Sequence, residues 1–365
     1  MAELKVLSFG AGAIGTYVGG SLALAGAQLV FVEQPGAAEE LRGRGLLLDL
    51  SLDKRRGLPP GGALEPGNFA AAASLEEALR YGPFDVALYA LKSFDTAAAI
   101  EGMRPFAVHL PPVWCLSNGV DNEPALAELL GPERVIAGTV TSAVGRRRAG
   151  DIVLEKLRGV GLAGRHALAG RLLAAANAAF LNARPYADAA AMKWSKMLTN
   201  LLANPTSAIL DLTAAQVFAD PRLYRIEVQV LRECLAVMRA QGIPVVDLPG
   251  TPVRLLAFAT RLPAGLSRPL VGRAAGSGRG GKMPSFHIDL HAGRGRSEVE
   301  YLHGAVARAG EKLGIATPAN RVLCQTLMAL TRREIPLEEF AGQPGKLAGL
   351  VDAATRRETG AAPGL

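Results

Sequence analysis

The feature that most constrains this chain is Gly10-Ala11-Gly12-Ala13-Ile14-Gly15, which follows the apolar run Leu4 to Phe9 and leads into a helical pattern from Ile14 to Ala25. Glycines with this spacing at a strand-to-helix turn have separate jobs. Gly10 permits the tight turn, Gly12 lets backbone approach a pyrophosphate, and Gly15 allows close packing of helix on strand. Ala13 and Ile14 open the helix, whose N-terminal amides favour an anion. Glu33 lies about 20 residues beyond Gly12, after the second strand Gln28 to Val32, where a carboxylate accepts hydrogen bonds from the adenosine ribose and repels a 2′-phosphate. Gln34 follows, and the next arginine is Arg42. A dinucleotide site that favours NAD(H) over NADP(H) is therefore expected.

Strand-like runs recur at Asp85 to Ala90, Val113 to Leu116 and Val135 to Thr139, separated by helical stretches, as in a doubly wound parallel sheet. Ile152 to Glu155 and Val160 to Leu162 are expected as antiparallel strands that finish this sheet. After about Pro185 the alternation gives way to helical periodicity over Met192 to Leu202, Leu223 to Gln241, Ser297 to Leu313 and Ala319 to Arg332. The expected architecture is α/β: an N-terminal Rossmann-type domain over 1–186, a helical substrate and dimerisation domain over 187–350, and a flexible tail over 351–365. Gly272 to Lys282, rich in glycine, serine and arginine, is expected to be a mobile loop.

At 365 residues the chain has room for two cores. No apolar run is long enough to span a membrane without charges or glycine clusters, and no leader-like pattern opens the sequence, so a cytoplasmic protein is expected. The three cysteines, Cys115, Cys234 and Cys324, stand apart in apolar surroundings and suggest buried thiols. A net charge of +7 with only 5% aromatic residues fits an anionic small molecule better than nucleic acid. Arg146-Arg147-Arg148 is expected to be a solvated loop between two strands. His287 and His291 are four apart with Asp289 between them, but the sequence offers no third ligand, and no metal is expected.

The segment Lys193 to Pro205 carries the most chemistry. Lys196, Asn200 and Asn204, spaced by four, are expected on one face of a helix that Pro205 ends. Such a stripe can bind a polar substrate through its amides while the ammonium gives a proton to a developing alkoxide. The same stripe as mere exposed surface is an equally good reading of the segment alone.

The glycine loop, Leu91-Lys92-Ser93-Phe94-Asp95, Ser117-Asn118-Gly119-Val120, the Lys196/Asn200/Asn204-Pro205 segment, Pro284-Ser285 with Asp289, and Ser297-Glu298-Val299-Glu300-Tyr301-Leu302-His303-Gly304 occur in one order. Together they resemble the ketopantoate reductase (2-dehydropantoate 2-reductase) family over most of the chain, from the first strand to about Asn320. The resemblance implies hydride transfer from a nicotinamide to the keto carbon of a branched 2-oxo acid, in pantothenate biosynthesis; the apolar faces of the helical domain suggest a homodimer, and no nucleic-acid or membrane partner is expected. It implies Lys196 as general acid and Glu298 as the carboxylate that engages substrate and sets the lysine's charge. Asn200, Asn204 and Ser285 resemble substrate-holding groups, and Lys92 and Asn118 resemble residues touching the cofactor and the reacting end of the substrate. Where the family commonly has an arginine after the second strand, this chain has Glu33-Gln34. An opine-type dehydrogenase shares the two-domain plan, but Lys196 with its two helix-mates suits a keto acid better than an imine. A catalytically silent dinucleotide sensor predicts decay of the proton-donor site, which the retained Lys196 and Glu298 oppose. His303 is expected in a capping or surface role.

Overall fold

The computed structural model describes residues 4–65, 68–268, 271, 283–293 and 295–359. The loop expected over Gly272 to Lys282 and the end of the expected tail, 360–365, lie outside the described residues. By packing, the chain divides into one unit that runs to Lys193 and includes Leu248–Thr251, and a second that takes up Trp194–Asp247 and the chain from Pro252. The division falls inside the helix Ala189–Leu201 rather than at 186/187.

Among the described residues the first unit has twelve strands. β1 (Lys5–Phe9), β2 (Gln28–Val32), β5 (Ala70–Ala72), β6 (Val86–Tyr89), β7 (Val113–Cys115), β8 (Val135–Val140), β11 (Val160–Ala163) and β12 (Ala183–Tyr186) form one sheet in the order β12-β11-β8-β7-β6-β1-β2-β5. The run β5-β2-β1-β6-β7-β8 is parallel throughout, and β11 pairs antiparallel with β8. From β1 the chain winds outward through β2 to β5, then crosses to β6 on the other side. The reversal leaves a crevice beyond the carboxyl ends of β1 and β6, where sheets of this kind bind ligands.

The strands are apolar on both faces because both are covered. Val6, Leu29, Leu88, Trp114 and Ile136 belong to one core, and their neighbours Leu7, Val30, Ala87, Val113 and Cys115 to the other. This is the period-two division of a doubly covered parallel sheet.

The remaining strands, β3 (Leu46–Asp49), β4 (Ala63–Leu64), β9 (Ala143–Arg148) and β10 (Asp151–Lys156), make a second sheet in the order β4-β3-β10-β9. Two expectations are corrected here. Ile152 to Glu155 does not finish the main sheet, because β10 pairs with β3 and β9 instead. Arg146 to Arg148 is the end of strand β9, not a loop.

The second unit is helical. Its helix Pro221–Ala240 starts from an Asp220 cap with Pro221 in the first turn and buries Leu223, Ile226, Val230, Leu231, Cys234 and Val237 on one face. That face packs against the helices His303–Leu313, Pro318–Thr331 and Pro344–Thr359. The last of these corrects the expected tail: residues 351–359 are helical, with Val351 and Ala354 buried. Ser297 to Leu313 is not one helix but a 3-10 turn, Glu298–Tyr301, followed after Leu302 by the helix from His303. Among the described residues no helix is long and apolar enough to cross a membrane.

His303 is fully buried rather than at the surface, and burial pushes its pKa down to about 3, against a smaller upward pull from the Leu201 backbone and Asn320. The folded state therefore excludes the imidazolium. Stability that is complete above the free histidine's pKa, 6.5, is lost progressively as pH falls toward 3. Between pH 7 and pH 5 this one group should remove about 2 kcal/mol. Urea midpoints at the two pH values should fall less in His303→Gln than in the wild type.

Candidate active site

The glycine loop is shaped by sterics. A Cβ at Gly15 would stand 2.3 Å from the Gly10 carbonyl oxygen, and Gly10 itself has a φ of +87° with Leu91 Cδ2 2.9 Å from its Cβ position. Neither position accepts a larger residue without movement of the loop. Gly12 differs: its Cβ position meets only Arg146 Nη1, 4.0 Å away, so the backbone there faces open space. The loop is also tied at both sides. The Ala11 amide donates to Glu33 Oε1 at 2.6 Å, and the Ala11 carbonyl accepts from the Gly150 amide at 2.9 Å. The other Glu33 oxygen accepts from the Gln34 amide. Glu33 thus stands beside the loop with its carboxylate turned onto it. Ala13 begins the helix Ala13–Leu24, which has no acidic residue in its first turn, and Ile14 follows.

The arginines near the end of β2 are engaged elsewhere. Arg42 donates to the Ala71 carbonyl and to Glu77, and Arg44 to the Ala149 carbonyl. In the second sheet Arg147 pairs with Asp151, and Arg148 with Glu40 and Asp151. Arg146 has no hydrogen bond or ion pair among the described residues and reaches toward Gly12. Sequence reading missed it because strand β9 belongs to a different sheet from the loop it approaches.

Lys92 and Asn118 follow β6 and β7, at the carboxyl edge of the sheet. The two loops are stitched together. Ser93 Oγ donates to the Asn118 carbonyl at 2.9 Å, Ser117 Oγ to the Leu91 carbonyl at 2.8 Å, and the buried Asn122 amide donates to both Ser93 Oγ and the Asn118 carbonyl. Lys193, only 5% exposed, gives its ammonium to the Ser117 and Gly138 carbonyls and lies 2.7 Å from Glu123. This lysine, which the sequence did not single out, braces the strand end that presents Asn118.

In the second unit the expected single stripe is broken. The helix carrying Lys196 and Asn200 ends at Leu201, and Asn204 starts a new helix, Asn204–Leu210. Between them Ala203 adopts a left-handed conformation, φ 52°. Pro205 lies in the first turn of the new helix, so it starts a helix instead of ending one. The break has an identifiable cause. Glu227, fully buried on the helix Pro221–Ala240, accepts the Ala203 amide at 2.6 Å and the Thr206 hydroxyl at 2.6 Å.

Asn204 is 4% exposed, and its amide is spent within the protein. Oδ1 accepts the Phe286 amide at 3.1 Å, and Nδ2 donates to the Asn200 carbonyl and to Ser285 Oγ, both at 3.4 Å. It therefore holds the exposed Ser285 at the start of the helix Ser285–His291. Lys196 and Asn200 are half-buried. Glu298 is buried and begins the 3-10 turn that Ser297 caps through the Val299 amide.

A Rossmann-like sheet with a glycine loop is followed by a helical unit that carries Lys196, Asn200 and Asn204, a two-domain α/β architecture. Two family models match: ketopantoate reductase PanE/ApbA over residues 6–164 and its C-terminal domain over 188–331. The chain belongs to the ketopantoate reductase family.

A 2-dehydropantoate 2-reductase from Archaeoglobus fulgidus is 26% identical, with 88% of this chain and 96% of the relative covered. One from Streptococcus pyogenes is 27% identical, and there the match spans 60% of this chain and 66% of the relative. Among solved structures, a PanE/ApbA family ketopantoate reductase from Ralstonia eutropha superposes with a TM-score of 0.74 at 27% identity, covering 91% of this chain and 99% of that one. D-mandelate dehydrogenase with NADH and anilino(oxo)acetate shares the fold, with a TM-score of 0.71 at 18% identity, over 90% and 99% of the two chains.

Removal of the Glu227 carboxylate tests the break. Glu227→Ala leaves a buried amide and a buried hydroxyl without acceptors, at about 1–3 kcal/mol each. The thermal midpoint should fall on the order of 10 °C, and Glu227→Gln, which keeps one acceptor, should lose less. Differential scanning calorimetry of the two variants reads the difference.

Proposed function

We propose that this protein reduces a branched 2-oxo acid, with 2-dehydropantoate the first candidate, to the 2-hydroxy acid, using a nicotinamide dinucleotide. The observation that carries the proposal is the cluster in the helical unit. Asn204 ties the Asn200 backbone to Ser285, and both lie on the segments whose motifs match the reductase family. The glycine loop fits the cofactor, because the Cβ-free face at Gly12 leaves room for a pyrophosphate beside a helix N-terminus. Gly10, Gly12, Ala13, Ile14 and Gly15 would hold the phosphates, Glu33 the ribose, and Lys92 and Asn118 the nicotinamide end. When bound, the nicotinamide supplies the hydride.

The chain's own residues then do the polar work. Negative charge develops on the substrate oxygen, and the Lys196 ammonium donates a proton to it. Asn200 and Ser285 bind the substrate, Asn204 acts by positioning Ser285, and Glu298 engages substrate and keeps Lys196 charged. Lys196→Ala should lower kcat by about 10²–10⁴-fold with the KM for NADH nearly unchanged. Asn200→Ala and Ser285→Ala should raise the KM of the oxo acid, and Glu298→Ala should impair both parameters. Steady-state rates over a panel of 2-oxo acids check this. A Lys196→Ala enzyme with normal kcat would remove the lysine from the mechanism.

The cofactor preference follows from charge. Glu33 repels a 2′-phosphate, and Arg42 and Arg44 are already bonded elsewhere, so kcat/KM should be higher with NADH than with NADPH. Glu33→Ser with Gln34→Arg should reverse the order. Arg146→Ala should instead raise the KM of both cofactors alike, by about tenfold, if its guanidinium pairs with the pyrophosphate that they share. Equal or better efficiency with NADPH in the wild type would overturn the preference.

A further inference from the structure

The helix Ser285–His291 places His287 and His291 one turn apart on the same face, with ring centroids 4.1 Å apart and planes inclined by 34°. Facing them is Asp211, a left-handed residue, φ 52°, at the C-terminal end of the helix Asn204–Leu210. Its Oδ1 lies 2.7 Å from His287 Nε2. One nitrogen from each histidine and one carboxylate oxygen lie within 4.8 Å of one another.

Sequence could not reveal this third partner, because Asp211 is remote from the histidines in the chain and is not Asp289, the acidic residue between them. A simple His–Asp pair would need only His287. His291 has no hydrogen bond or ion pair among the described residues, yet its ring is held against that of His287. Two imidazoles and a carboxylate are the ligand set of borderline divalent ions. Bonds of about 2.0–2.2 Å to zinc need donor atoms a little over 3 Å apart, within reach of side-chain rotation from the present arrangement. Asp211 and His291 are exposed, so water can fill the remaining positions.

We propose that Asp211, His287 and His291 form a solvent-open site for a divalent transition-metal ion of the zinc type. The ion would fasten the C-terminal end of the helix that starts at Asn204 to the helix that starts at Ser285. These two helices already touch at their other ends, through the Asn204 side chain and the Phe286 amide. A metal clamp at the far ends would fix the direction of the Ser285 helix. It stabilises by binding the folded form, so its strength shows as a metal-dependent rise in thermal midpoint.

The test uses untagged, chelator-treated full-length protein titrated with Zn²⁺ by calorimetry and with Co²⁺ by visible absorption. One equivalent should bind, with cobalt bands of nitrogen and oxygen ligation and no thiolate charge-transfer band. Zn²⁺ should raise the thermal midpoint. His291→Ala and Asp211→Asn, both at exposed positions, should keep the metal-free midpoint while weakening binding at least about tenfold, since even outer partners of metal ligands are typically worth about 10–100-fold. No binding by the wild type, equal binding by the two variants, or a thiolate band that assigns the ion to a cysteine would each overturn the proposal.

Discussion

The helical unit depends on a carboxylate buried where water cannot reach it. Glu227, on the helix Pro221–Ala240, accepts the Ala203 amide and the Thr206 hydroxyl at 2.6 Å each. Burying an ionisable group costs several kcal/mol unless it is well bonded. Here the cost is offset by two short bonds, one of them from the backbone amide that precedes the helix Asn204–Leu210. The consequence is directional. The chain leaves the Lys196 helix at Leu201, turns through Ala203, and sets Asn204 where its side chain reaches Phe286 and Ser285.

The same long helix uses the device a second time. Glu233 accepts the Ala319 and Asn320 amides at the start of the helix Pro318–Thr331, with the Asn320 side chain at 2.7 Å. Burial raises the Glu233 pKa, and the bonds from Asn320 and Ala319 pull it back only in part. The folded state therefore holds this proton more readily than the unfolded chain does, and the stability that goes with it is lost as pH rises through the raised pKa. One helix therefore serves as a strut whose buried acids set the starting points of two others. The glycine loop of the first unit is pinned by the same logic, with Glu33 accepting its Ala11 amide. In each case a carboxylate takes up backbone donors that a turn leaves over.

What was legible in the sequence was what short-range pattern controls. The strand, glycine turn and helix at the N-terminus and the succession of parallel strands appear as read, as does the helical character of the later segments, though Ser297 to Leu313 is split into a 3-10 turn and a helix. The break at Leu202 and Ala203 was not legible, because neither residue is a breaker and the cause, Glu227, lies more than a turn away on another helix. Only Pro205 carried a local signal, and it was ambiguous, since proline both ends helices and suits their first turn. The second sheet escaped for a similar reason. Leu46 to Asp49 is short, and nothing local says that Asp151 to Lys156 should pair with it in place of β11. The candidate site residues rest on residue types at positions that match the family's motifs. Which amides are spent internally, as that of Asn204 is, depends on contacts between segments that no spacing encodes.

The two lysines three residues apart on one helix show how burial separates side chains that composition leaves alike. Lys193 and Lys196 are chemically alike, and either could be read as a proton donor from sequence. The Lys193 ammonium is buried against two carbonyls and Glu123. To give its proton to a substrate it would have to abandon these acceptors and leave a carboxylate unpaired in a dry site, at a cost of several kcal/mol. That cost would be added to the barrier it was meant to lower. Lys196 is half-buried, and a turn further on the same helix presents Asn200. Burial therefore gives Lys193 to the scaffold, and the proposal of Lys196 as the donor rests on the family resemblance together with its position nearer solvent.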